Sequence, residues 1–477
     1  MKKEILLINP RIGLTQSLTP HLGLAVLATR LEQAGHTVVT LDYSAEHSTP
    51  PLDECLRRYE PDFVGITGLT SGVGIVRRLI SIIGRYNENI VVALGGPHAT
   101  LYPEDLRAIA DLDYIVQGEA EDRIADLVDA AVAGQFPEIV SCERPPIDKF
   151  PMPSFCSFHN FQNISVYPLL TSKGCPFNCS FCSVHKITSR AWRRRRIDDC
   201  IEEVSEARHY LPRLRHVRII DDEPAVDRER FQLLLSRFAE ARRGLSLEIV
   251  NLRAKDITQE TLGLMREAGV FEVCFGVEHG NPTVFEHIEK GETLEDIARA
   301  AELVKSSGLF LRCCFIVGLP FDSYERTLES IEFAKKIKAD FIHWNSFIPL
   351  RGTRAADWFS AHGRVFDTKE QFSLSGSGGF FVPEPCVETD DFKKEDRKKA
   401  YALALLETGS YVLTPRGLVE ILRAMFRYEL YASTLKSLVR QPGRIFKTLL
   451  RFRKAGLLSG YARRYFKGTF SQSSAGE

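Results

Sequence analysis

Three cysteines fall within eight residues of one another in the stretch TSKGCPFNCSFC. Cys175, Cys179 and Cys182 follow an apolar run and lie in a polar, glycine-containing segment. Thiolates spaced this closely can converge on one metal centre, and three of them suit an iron–sulfur cluster with one iron open to a ligand. A zinc site would need a fourth ligand, which His185 could provide. The spacing predicts a metal centre and leaves both metals open.

Alternating strand and helix patterns surround this cysteine segment. Strands are predicted at 166–171, 216–220, 247–250, 272–275, 311–317 and 341–344. Charged amphipathic helices are predicted between them, at 199–210, 228–241, 258–267, 294–306 and 324–337. Six repeats of strand then helix predict an α/β fold over residues 164–365, a partial (β/α)6 barrel. The cysteines directly follow its first strand.

The cysteine segment resembles the signature of the radical S-adenosylmethionine (radical SAM) superfamily, CxxxCxxC with an aromatic residue before the last cysteine. Cys175, Cys179, Phe181 and Cys182 match it position for position. The resemblance implies that the cysteines hold a 4Fe–4S cluster whose open iron takes the amino and carboxylate groups of S-adenosylmethionine. Phe181 would lie against the adenine. One electron would then cleave the sulfonium to methionine and a 5′-deoxyadenosyl radical.

The resemblance extends to residues that follow the later strands. It implies that Asp221 and Asp222 face the methionine ammonium and that Arg253 lies near the methionine carboxylate. Glu278 would accept from both ribose hydroxyls, and Gly318 belongs to the segment FIVGLP, which matches the family's adenine segment. The sequence departs from the pattern at two positions: Pro224 replaces a common Phe, and Arg351 replaces a proline of the P-x-PGT turn.

The first 135 residues show the same alternation and predict a doubly wound sheet of Rossmann or flavodoxin type. Strands are predicted at 5–8, 38–41, 63–67, 90–94 and 114–116. Ligands of such sheets bind beyond the carboxyl ends of the strands, where glycine lets the backbone approach closely. The loops predicted there carry Gly68, Thr70, Ser71, Gly95, Gly96, Gly118 and Glu119. These glycines could equally serve only to make tight turns.

This front region resembles the cobalamin-binding domain that precedes the radical domain in the largest branch of the superfamily. The match lies in residues 94–100 (LGGPHAT) and 116–121 (VQGEAE). The resemblance implies that the seven loop residues contact cobalamin. The sequence has no D-x-H-x-x-G segment, which radical enzymes of this branch generally lack too. We interpret His98 as a hydrogen-bonded turn residue rather than a cobalt ligand.

Composition and charge set the remaining boundaries. Prolines at 137, 145, 146, 151 and 153 predict a linker over 136–163, and residues 366–477 predict a helical, basic extension. Within it, the Gly/Ser-rich stretch 373–383 predicts a mobile loop or a second linker. Lys+Arg and Asp+Glu balance at 62 each, which disfavours a polycation that coats nucleic acid.

The balance conceals a basic tail. Residues 415–467 contain thirteen Lys/Arg and two Glu among many apolar residues. Such a segment can lie on an anionic membrane surface or pack its apolar face on the barrel. A second basic run, Arg190 and residues 193–196 around Trp192, is interpreted as a solvated face or a contact to cobalamin or a substrate phosphate. Nucleic acid is the less favoured partner.

Cysteine usage and apolar runs predict a location. Eleven cysteines are too few for a disulfide scaffold of 477 residues. The start, MKKEILLINP, lacks a signal-peptide pattern, and no apolar run approaches the roughly 20 residues that span a bilayer. We expect a cytoplasmic protein, peripheral to the membrane if the tail binds there.

The function that follows is a radical SAM enzyme, a cobalamin-dependent methyltransferase acting on an unactivated carbon. Its partners would be a small-molecule, lipid-like or tetrapyrrole-like substrate and an electron donor such as flavodoxin or ferredoxin. One alternative is a radical cyclase or rearrangement enzyme that resembles the anaerobic porphyrin ring-forming enzymes. The other is a non-catalytic metal-holding binding protein. A methylthiotransferase is disfavoured because its front domain needs three more clustered cysteines, whereas Cys55, Cys142 and Cys156 are scattered.

Overall fold

The computed structural model describes residues 2–12, 19–45, 49–135, 138–366 and 382–410, together with Val439. These residues form two compact units. The first comprises the described residues of Met1–Pro176, Ser183–Val226 and Glu240–Leu245, and the second comprises those of Phe177–Cys182, Asp227–Ala239 and Ser246–Glu477. The basic tail, apart from Val439, and most of the 373–383 stretch lie outside the described residues. The domain boundaries drawn from composition stay a prediction.

The first unit alternates short strands with helices. Its strands are β1 (Glu4–Asn9), β2 (Thr37–Asp42), β3 (Phe63–Thr67), β4 (Val91–Gly95), β5 (Tyr114–Gly118), β6 (Ile139–Cys142), β7 (Val166–Leu169), β8 (Ser172–Lys173), β9 (Arg193–Arg194) and β10 (His216–Ile219). Its helices are α1 (Leu22–Gln33), α2 (Leu52–Tyr59), α3 (Val73–Tyr86), α4 (Pro97–Leu101), α5 (Ile124–Val132), α6 (Val184–Ile187) and α7 (Ile197–Tyr210).

The second unit continues the alternation, with α8 ending just inside the first unit. Its strands are β11 (Ser246–Leu252), β12 (Val270–Glu278), β13 (Phe310–Val317), β14 (Phe341–Ser346), β15 (Arg364–Val365) and β16 (Val387–Glu388). The helices are α8 (Arg228–Ala241), α9 (Gln259–Glu267), α10 (Pro282–Ile288), α11 (Leu294–Ser306), α12 (Tyr324–Ile337), α13 (Arg354–His362) and α14 (Lys394–Thr408). Short 3-10 helices occupy Thr70–Gly72, Pro103–Leu106, Ile147–Lys149, Phe161–Asn163 and Ala254–Asp256.

The front sheet is parallel, with strand order β2-β1-β3-β4-β5-β6. Its first five strands have the 2-1-3-4-5 order of flavodoxin-like folds, in which ligands bind where the strand order reverses. Continuous apolar runs such as Ile5–Ile8 are buried because helices cover both faces of such a sheet. The predicted doubly wound fold is confirmed.

The sixth strand, β6, lies in the stretch predicted to be a linker. The strand pairs with β5 from Ile115↔Ile139 to Gly118↔Cys142. Pro145 and Pro146 follow the strand instead of interrupting it, so they do not remove any hydrogen bond from its ladder. The proline count of this stretch therefore describes the residues around the strand.

Each unit contains further parallel strands. In the first unit β10 pairs with β7, and in the second unit the strand order is β14-β13-β12-β11. These strands alternate with helices, as predicted for the partial barrel. In the second unit, the ring centres of Phe315 and Trp344 lie 4.7 Å apart on the face that α14 covers. Trp344 Nε1 donates to the Thr408 hydroxyl of α14 at 3.0 Å. In the described part of the chain, no helix is long and apolar enough to cross a membrane.

Candidate functional site

A buried carboxylate, that of Asp221, holds the start of the cysteine segment. Asp221, which is 1% exposed, follows β10. It accepts hydrogen bonds from the Thr171 backbone N–H at 2.7 Å, the Thr171 hydroxyl at 2.6 Å and the Ser172 hydroxyl at 2.6 Å. A carboxylate that accepts several hydrogen bonds fixes the backbone that donates them. Asp221 therefore anchors the residues that lead into Cys175, and its predicted contact with the methionine ammonium stays a prediction.

The neighbouring carboxylate, Asp222, holds the next turn of this segment. Its Oδ2 accepts from the Gly174 N–H and from the Thr188 hydroxyl, both at 2.8 Å. Gly174 has φ +94°, and a Cβ there would overlap the Ala191 carbonyl. Only glycine tolerates this combination of backbone angle and close approach. The residue directly before Cys175 is thus fixed by its backbone and by an acidic partner.

The later part of the cysteine segment belongs to the second unit, where helix ends hold it. Ser180 donates from its backbone N–H to the Ile288 carbonyl at 2.8 Å, and its own carbonyl accepts from Ala355 N–H at 3.0 Å. These partners lie at the end of α10 and the start of α13. Cys182 N–H donates to the Cys179 carbonyl at 3.2 Å, which closes a turn around the aromatic position.

Arg253 contacts the cysteine segment through an aromatic ring. Its guanidinium carbon lies 3.6 Å from the centre of the Phe177 ring, and Phe177 stands within the segment. Nη2 donates to the carbonyls of Lys290 at 2.8 Å and Gly291 at 2.9 Å. A stacked, hydrogen-bonded guanidinium is a rigid support. Its predicted contact with the methionine carboxylate remains a prediction.

Glu278 ends β12 in a strained backbone conformation. Its φ is +65°, which costs a non-glycine residue of order 1–3 kcal/mol and is typical of functional sites. A bulge in the pairing with β13 lies between Gly276 and Glu278. A Cβ at Gly276 would overlap Glu278 Oε1, so the glycine makes room for the carboxylate. Burial raises the pKa of Glu278, an effect that Lys290 partly offsets.

Lys290, which no sequence motif singled out, lies beside Glu278. The Lys290 side chain is 8% exposed, and its Nζ lies 2.7 Å from Glu292 Oε1 and 3.9 Å from Glu278 Oε1. It also donates to the Gly276 carbonyl. Burial by itself lowers the pKa of Lys290, but the Glu278 and Glu292 carboxylates outweigh it and raise that pKa overall. The only sequence signal was a Lys in an acidic stretch, EKGE, which is usually solvated.

Gly318 belongs to a loop that a buried carboxylate closes. Its backbone N–H donates to Asp322 Oδ2 at 2.7 Å, and its φ is +91°. His279, the residue after Glu278, places Nε2 3.2 Å from Asp322 Oδ1, with both side chains fully buried. The predicted adenine segment and the predicted ribose carboxylate are therefore joined through Asp322.

A cavity of about 290 Å³ lies in the first unit at the carboxyl ends of the front strands. Of the seven predicted cobalamin contacts, Gly95, Gly96, Gly118 and Glu119 line it, whereas Gly68, Thr70 and Ser71 do not. Most of the lining is apolar, including residues of α1 and β5. An apolar cavity at this edge of a parallel sheet fits the non-polar part of a large cofactor. Cobalamin is therefore compatible with the residues present.

Two of the lining glycines are also required by their own backbone. Gly96 has φ +91°, and a Cβ there would lie 2.6 Å from Thr67 Oγ1. Gly118 has φ +79°, and a Cβ there would overlap the Cys142 carbonyl. Tight turns thus account for these glycines with or without a ligand.

His98 ties two of the front loops together. Its backbone N–H donates to the Gly68 carbonyl at 2.9 Å, and its Nδ1 lies 3.2 Å from Thr70 Oγ1. The ring is 1% exposed and stacks on Tyr102 at 5.1 Å. This arrangement agrees with the interpretation of His98 as a hydrogen-bonded turn residue.

Glu119 lies among cations of the cysteine segment's flanks. The Glu119 side chain is 5% exposed, with Lys173 Nζ at 3.3 Å and Arg193 Nη2 at 2.6 Å. Both carboxylate oxygens are engaged by these two residues. The sequence analysis assigned Glu119 to cobalamin, and that contact stays a prediction.

The chemistry and spacing of the three cysteines predict that they are the cluster ligands. Cys175 belongs to the first unit, Cys179 and Cys182 belong to the second, and each is partly exposed. In the described ranges, no three His, Cys, Asp or Glu side chains adopt a metal-binding arrangement. Three thiolates at this sequence spacing suit a cluster with one open iron. The ligand set itself stays a prediction.

Comparison with known proteins places both regions in families. Residues 169–334 match the radical SAM superfamily, and residues 11–128 match the B12 binding domain. The chain is 28% identical over 424 residues to an uncharacterized methyltransferase of Pyrococcus horikoshii, a match covering 84% of this chain and 89% of that protein. It is 28% identical over 362 residues to the anaerobic magnesium-protoporphyrin IX monomethyl ester cyclase of Rubrivivax gelatinosus. That match covers 69% of this chain and 64% of the cyclase, so the chain spans less than two thirds of that relative.

Solved structures share the fold. TsrM from Kitasatospora setae, a radical S-adenosylmethionine methyltransferase solved with cobalamin and a [4Fe-4S] cluster, aligns with a TM-score of 0.60 at 20% identity. That alignment covers 74% of this chain and 77% of TsrM. The cobalamin-dependent radical enzyme OxsB aligns with a TM-score of 0.61 at 15% identity, covering 98% of this chain and 75% of OxsB. Residues 169–334 are thus a radical SAM domain that follows a B12 binding domain at residues 11–128, which confirms the predicted fold and cofactor classes: a 4Fe–4S cluster, S-adenosylmethionine and cobalamin.

Proposed function

We propose that the protein is a cobalamin-dependent radical SAM methyltransferase that methylates an unactivated carbon. One observation carries the proposal: the cavity at the front sheet is lined by Gly95 and Gly118 and also by Lys173 and Thr188. Lys173 lies in the cysteine segment, two residues before Cys175, and Thr188 follows the segment. The cavity proposed for cobalamin is thus lined in part by residues that are close in sequence to the predicted cluster ligands. Methyl transfer needs both cofactors at one substrate.

Each part of the site would have a separate task. Cys175, Cys179 and Cys182 would hold the cluster, and Phe181, Asp221, Asp222, Arg253, Glu278 and Gly318 would contact S-adenosylmethionine. When bound, the cluster and S-adenosylmethionine supply a 5′-deoxyadenosyl radical, and cobalamin supplies the methyl group. Asp221 and Asp222 fix the start of the cysteine segment, and Lys290 keeps a cation beside the buried Glu278. The apolar lining of the cavity excludes water from reactive species.

A small-molecule substrate fits this chemistry, and we propose a lipid-like or tetrapyrrole-like one. Support comes from the name of the Rubrivivax gelatinosus relative, which acts on a magnesium-protoporphyrin ester, and from the hopanoid C-2 methylase of Rhodopseudomonas palustris, 25% identical over 311 residues. A cytoplasmic location with a flavodoxin or ferredoxin as electron donor completes the proposal. Peripheral membrane contact through residues 415–467 is part of it and concerns residues outside the described ranges.

Methyl-labelled S-adenosylmethionine tests the proposal without the substrate. Anaerobically prepared protein loaded with cobalamin is reduced, incubated with [methyl-²H₃]S-adenosylmethionine and analysed by mass spectrometry. The expected products are S-adenosylhomocysteine and cobalamin carrying the labelled methyl group. Deoxyadenosine without either product would favour the cyclase or rearrangement enzyme and overturn methyl transfer. Absence of any cleavage product would favour the metal-holding binding protein.

A further inference from the structure

Helix α14, in the C-terminal extension, contacts the predicted adenine segment, FIVGLP (residues 315–320). Arg397 of α14 is 3% exposed, and its Nη1 donates to the Gly318 carbonyl at 2.9 Å. Its Nε donates to the Phe392 carbonyl at 2.9 Å. The guanidinium lies over the Phe392 ring at 4.5 Å and over the Phe359 ring at 5.5 Å. A residue of the C-terminal extension is therefore built into the loop that follows β13.

Gly318 is shaped to receive this guanidinium. With φ +91° it adopts a backbone conformation that L side chains rarely take, and a Cβ would overlap Arg397 Nη1. Its N–H is held by Asp322 Oδ2 and its carbonyl by Arg397, so both polar groups of this peptide position are fixed. Because Asp322 also lies 3.2 Å from His279 Nε2, the same cluster extends to the residue after Glu278.

Holding a guanidinium here has an energetic cost. Burial lowers the pKa of Arg397 to about 10, although Asp322 and Glu388 raise it, so the side chain stays charged at neutral pH. Its Nη2 is buried and has no hydrogen-bond partner among the described residues. Buried charged groups with incomplete hydrogen bonding are weak stabilisers, because desolvation offsets much of the attraction. An apolar side chain at position 397 would fill this space without the desolvation cost, so stability alone does not explain the arginine.

We propose that Arg397 is a positioning residue of the S-adenosylmethionine site, holding residues 318–322 in the shape that accepts the adenine. The C-terminal extension is then part of the cofactor site. This inference rests on the proposed function, since it assigns a supporting residue to the predicted adenine segment of the same site. Replacement of Arg397 should therefore weaken the binding of S-adenosylmethionine and leave the cluster and the cobalamin cavity intact.

The test compares two side chains of α14 that both bond a backbone carbonyl of the second unit. Tyr401, one helical turn after Arg397, donates from its hydroxyl to the Trp344 carbonyl at 2.6 Å and is 1% exposed. Tyr401→Phe thus loosens the same helix without touching Gly318. Arg397→Met, Arg397→Lys, Tyr401→Phe and the unaltered protein are loaded with iron and sulfide. Equilibrium dialysis with radiolabelled S-adenosylmethionine gives the dissociation constants, and thermal unfolding gives the stabilities.

Arg397→Met is expected to raise the dissociation constant at least tenfold with unchanged iron content. Arg397→Lys, which keeps a donor for the Gly318 carbonyl, should recover part of the affinity. Tyr401→Phe should lower the unfolding midpoint and leave the dissociation constant as in the unaltered protein. Unchanged affinity in both Arg397 variants, or an equal loss in Tyr401→Phe, would overturn the inference while leaving the proposed function standing. Failure of the unaltered, cluster-loaded protein to bind S-adenosylmethionine would overturn both.

Discussion

Arg193 donates two parallel hydrogen bonds to the Glu119 carboxylate, although the two residues lie 74 positions apart in sequence. Nη2 donates to Oε1 at 2.6 Å and Nη1 donates to Oε2 at 2.8 Å, with Lys173 Nζ 3.3 Å from Oε2. Glu119 follows β5 of the front sheet, whereas Lys173 lies in the cysteine segment and Arg193 follows it. Because all three side chains are largely buried, solvent screens these ion pairs little. Glu119 therefore links the front sheet to the flanks of the cysteine segment within the first unit.

Replacement of Glu119 should destabilise the first unit. Glu119→Gln leaves the Arg193 cation without its bidentate partner, which costs about 3 kcal/mol for a buried pair and lowers the first unfolding midpoint by roughly 6–12 °C. Differential scanning calorimetry measures this midpoint. Glu143→Gln, at an exposed site on a nearby loop, is the matched control and should unfold as the unaltered protein does. Equal midpoints for the two variants would show that the ion pairs contribute no stability.

His98 should not ligate cobalt. Its ring is buried against Tyr102, and its Nδ1 lies 3.2 Å from Thr70 Oγ1. The side chain therefore connects the loops after β3 and β4. Protein grown with ¹⁵N-histidine and loaded with cob(II)alamin should give the same electron paramagnetic resonance spectrum as unlabelled protein. A change in the nitrogen splitting pattern on labelling would place a histidine on the metal and contradict this expectation.

Glu278 should control the affinity for S-adenosylmethionine and its pH dependence. Loss of charge-assisted hydrogen bonds in Glu278→Gln should raise the dissociation constant by roughly 10–100-fold, since each such bond contributes about 1.5–3 kcal/mol. Burial raises the pKa of this carboxyl above its ordinary value, so acidification should protonate it early and weaken binding. Glu278→Gln should bind weakly without that acid-side loss.

Isothermal titration under anaerobic conditions measures both effects. Iron content should be unchanged in the variant, because Glu278 lies outside the predicted ligand set. Glu286→Gln, on the exposed face of α10, is the control. A Glu278→Gln affinity equal to that of the unaltered protein would remove Glu278 from the cofactor site.

Lys290 should be needed to keep two carboxylates buried beside the site. Lys290→Met leaves Glu278 and Glu292 without their cation, and breaking such a buried pair costs about 3–5 kcal/mol. We expect a lower unfolding midpoint and weaker S-adenosylmethionine binding, both partly restored in Lys290→Arg. Lys305→Met, on the exposed face of α11, should change neither property. Full stability in Lys290→Met would mean that the carboxylates do not depend on this cation.

Local patterns were sufficient to predict most strands and helices. The apolar, β-branched run 63–67 forms β3 over the predicted residues, and α8, α11 and α12 have the predicted bounds. The strand β6 was missed because prolines on both sides of it dominate the composition of its stretch. Elements with strong periodicity and intact flanks are thus readable from sequence, and short strands inside proline-rich stretches are not.

The site was predictable in its motifs and not in its long-range pairs. The cysteine spacing identified the segment, but nothing local connects Gly318 with Arg397, 79 residues later. The basic run after the cysteines was interpreted as a solvated face or a cofactor contact. Arg190, Arg194 and Arg196 are exposed, as a solvated face requires, whereas Arg193 bonds Glu119 and Arg195 bonds the buried Glu203, each at 2.6 Å. Such pairs depend on which strands end side by side, which only the assembled fold decides.

The central claim is that the cysteine segment supports reductive cleavage of S-adenosylmethionine. The direct measurement is 5′-deoxyadenosine formed by anaerobically reconstituted, dithionite-reduced protein, quantified by mass spectrometry for the unaltered chain, Cys179→Ala and Cys156→Ala. Cys156 is exposed and lies outside the segment, so its variant controls for thiol loss. We expect deoxyadenosine from the unaltered protein and from Cys156→Ala, and none above background from Cys179→Ala. Cleavage retained in Cys179→Ala would contradict the central claim.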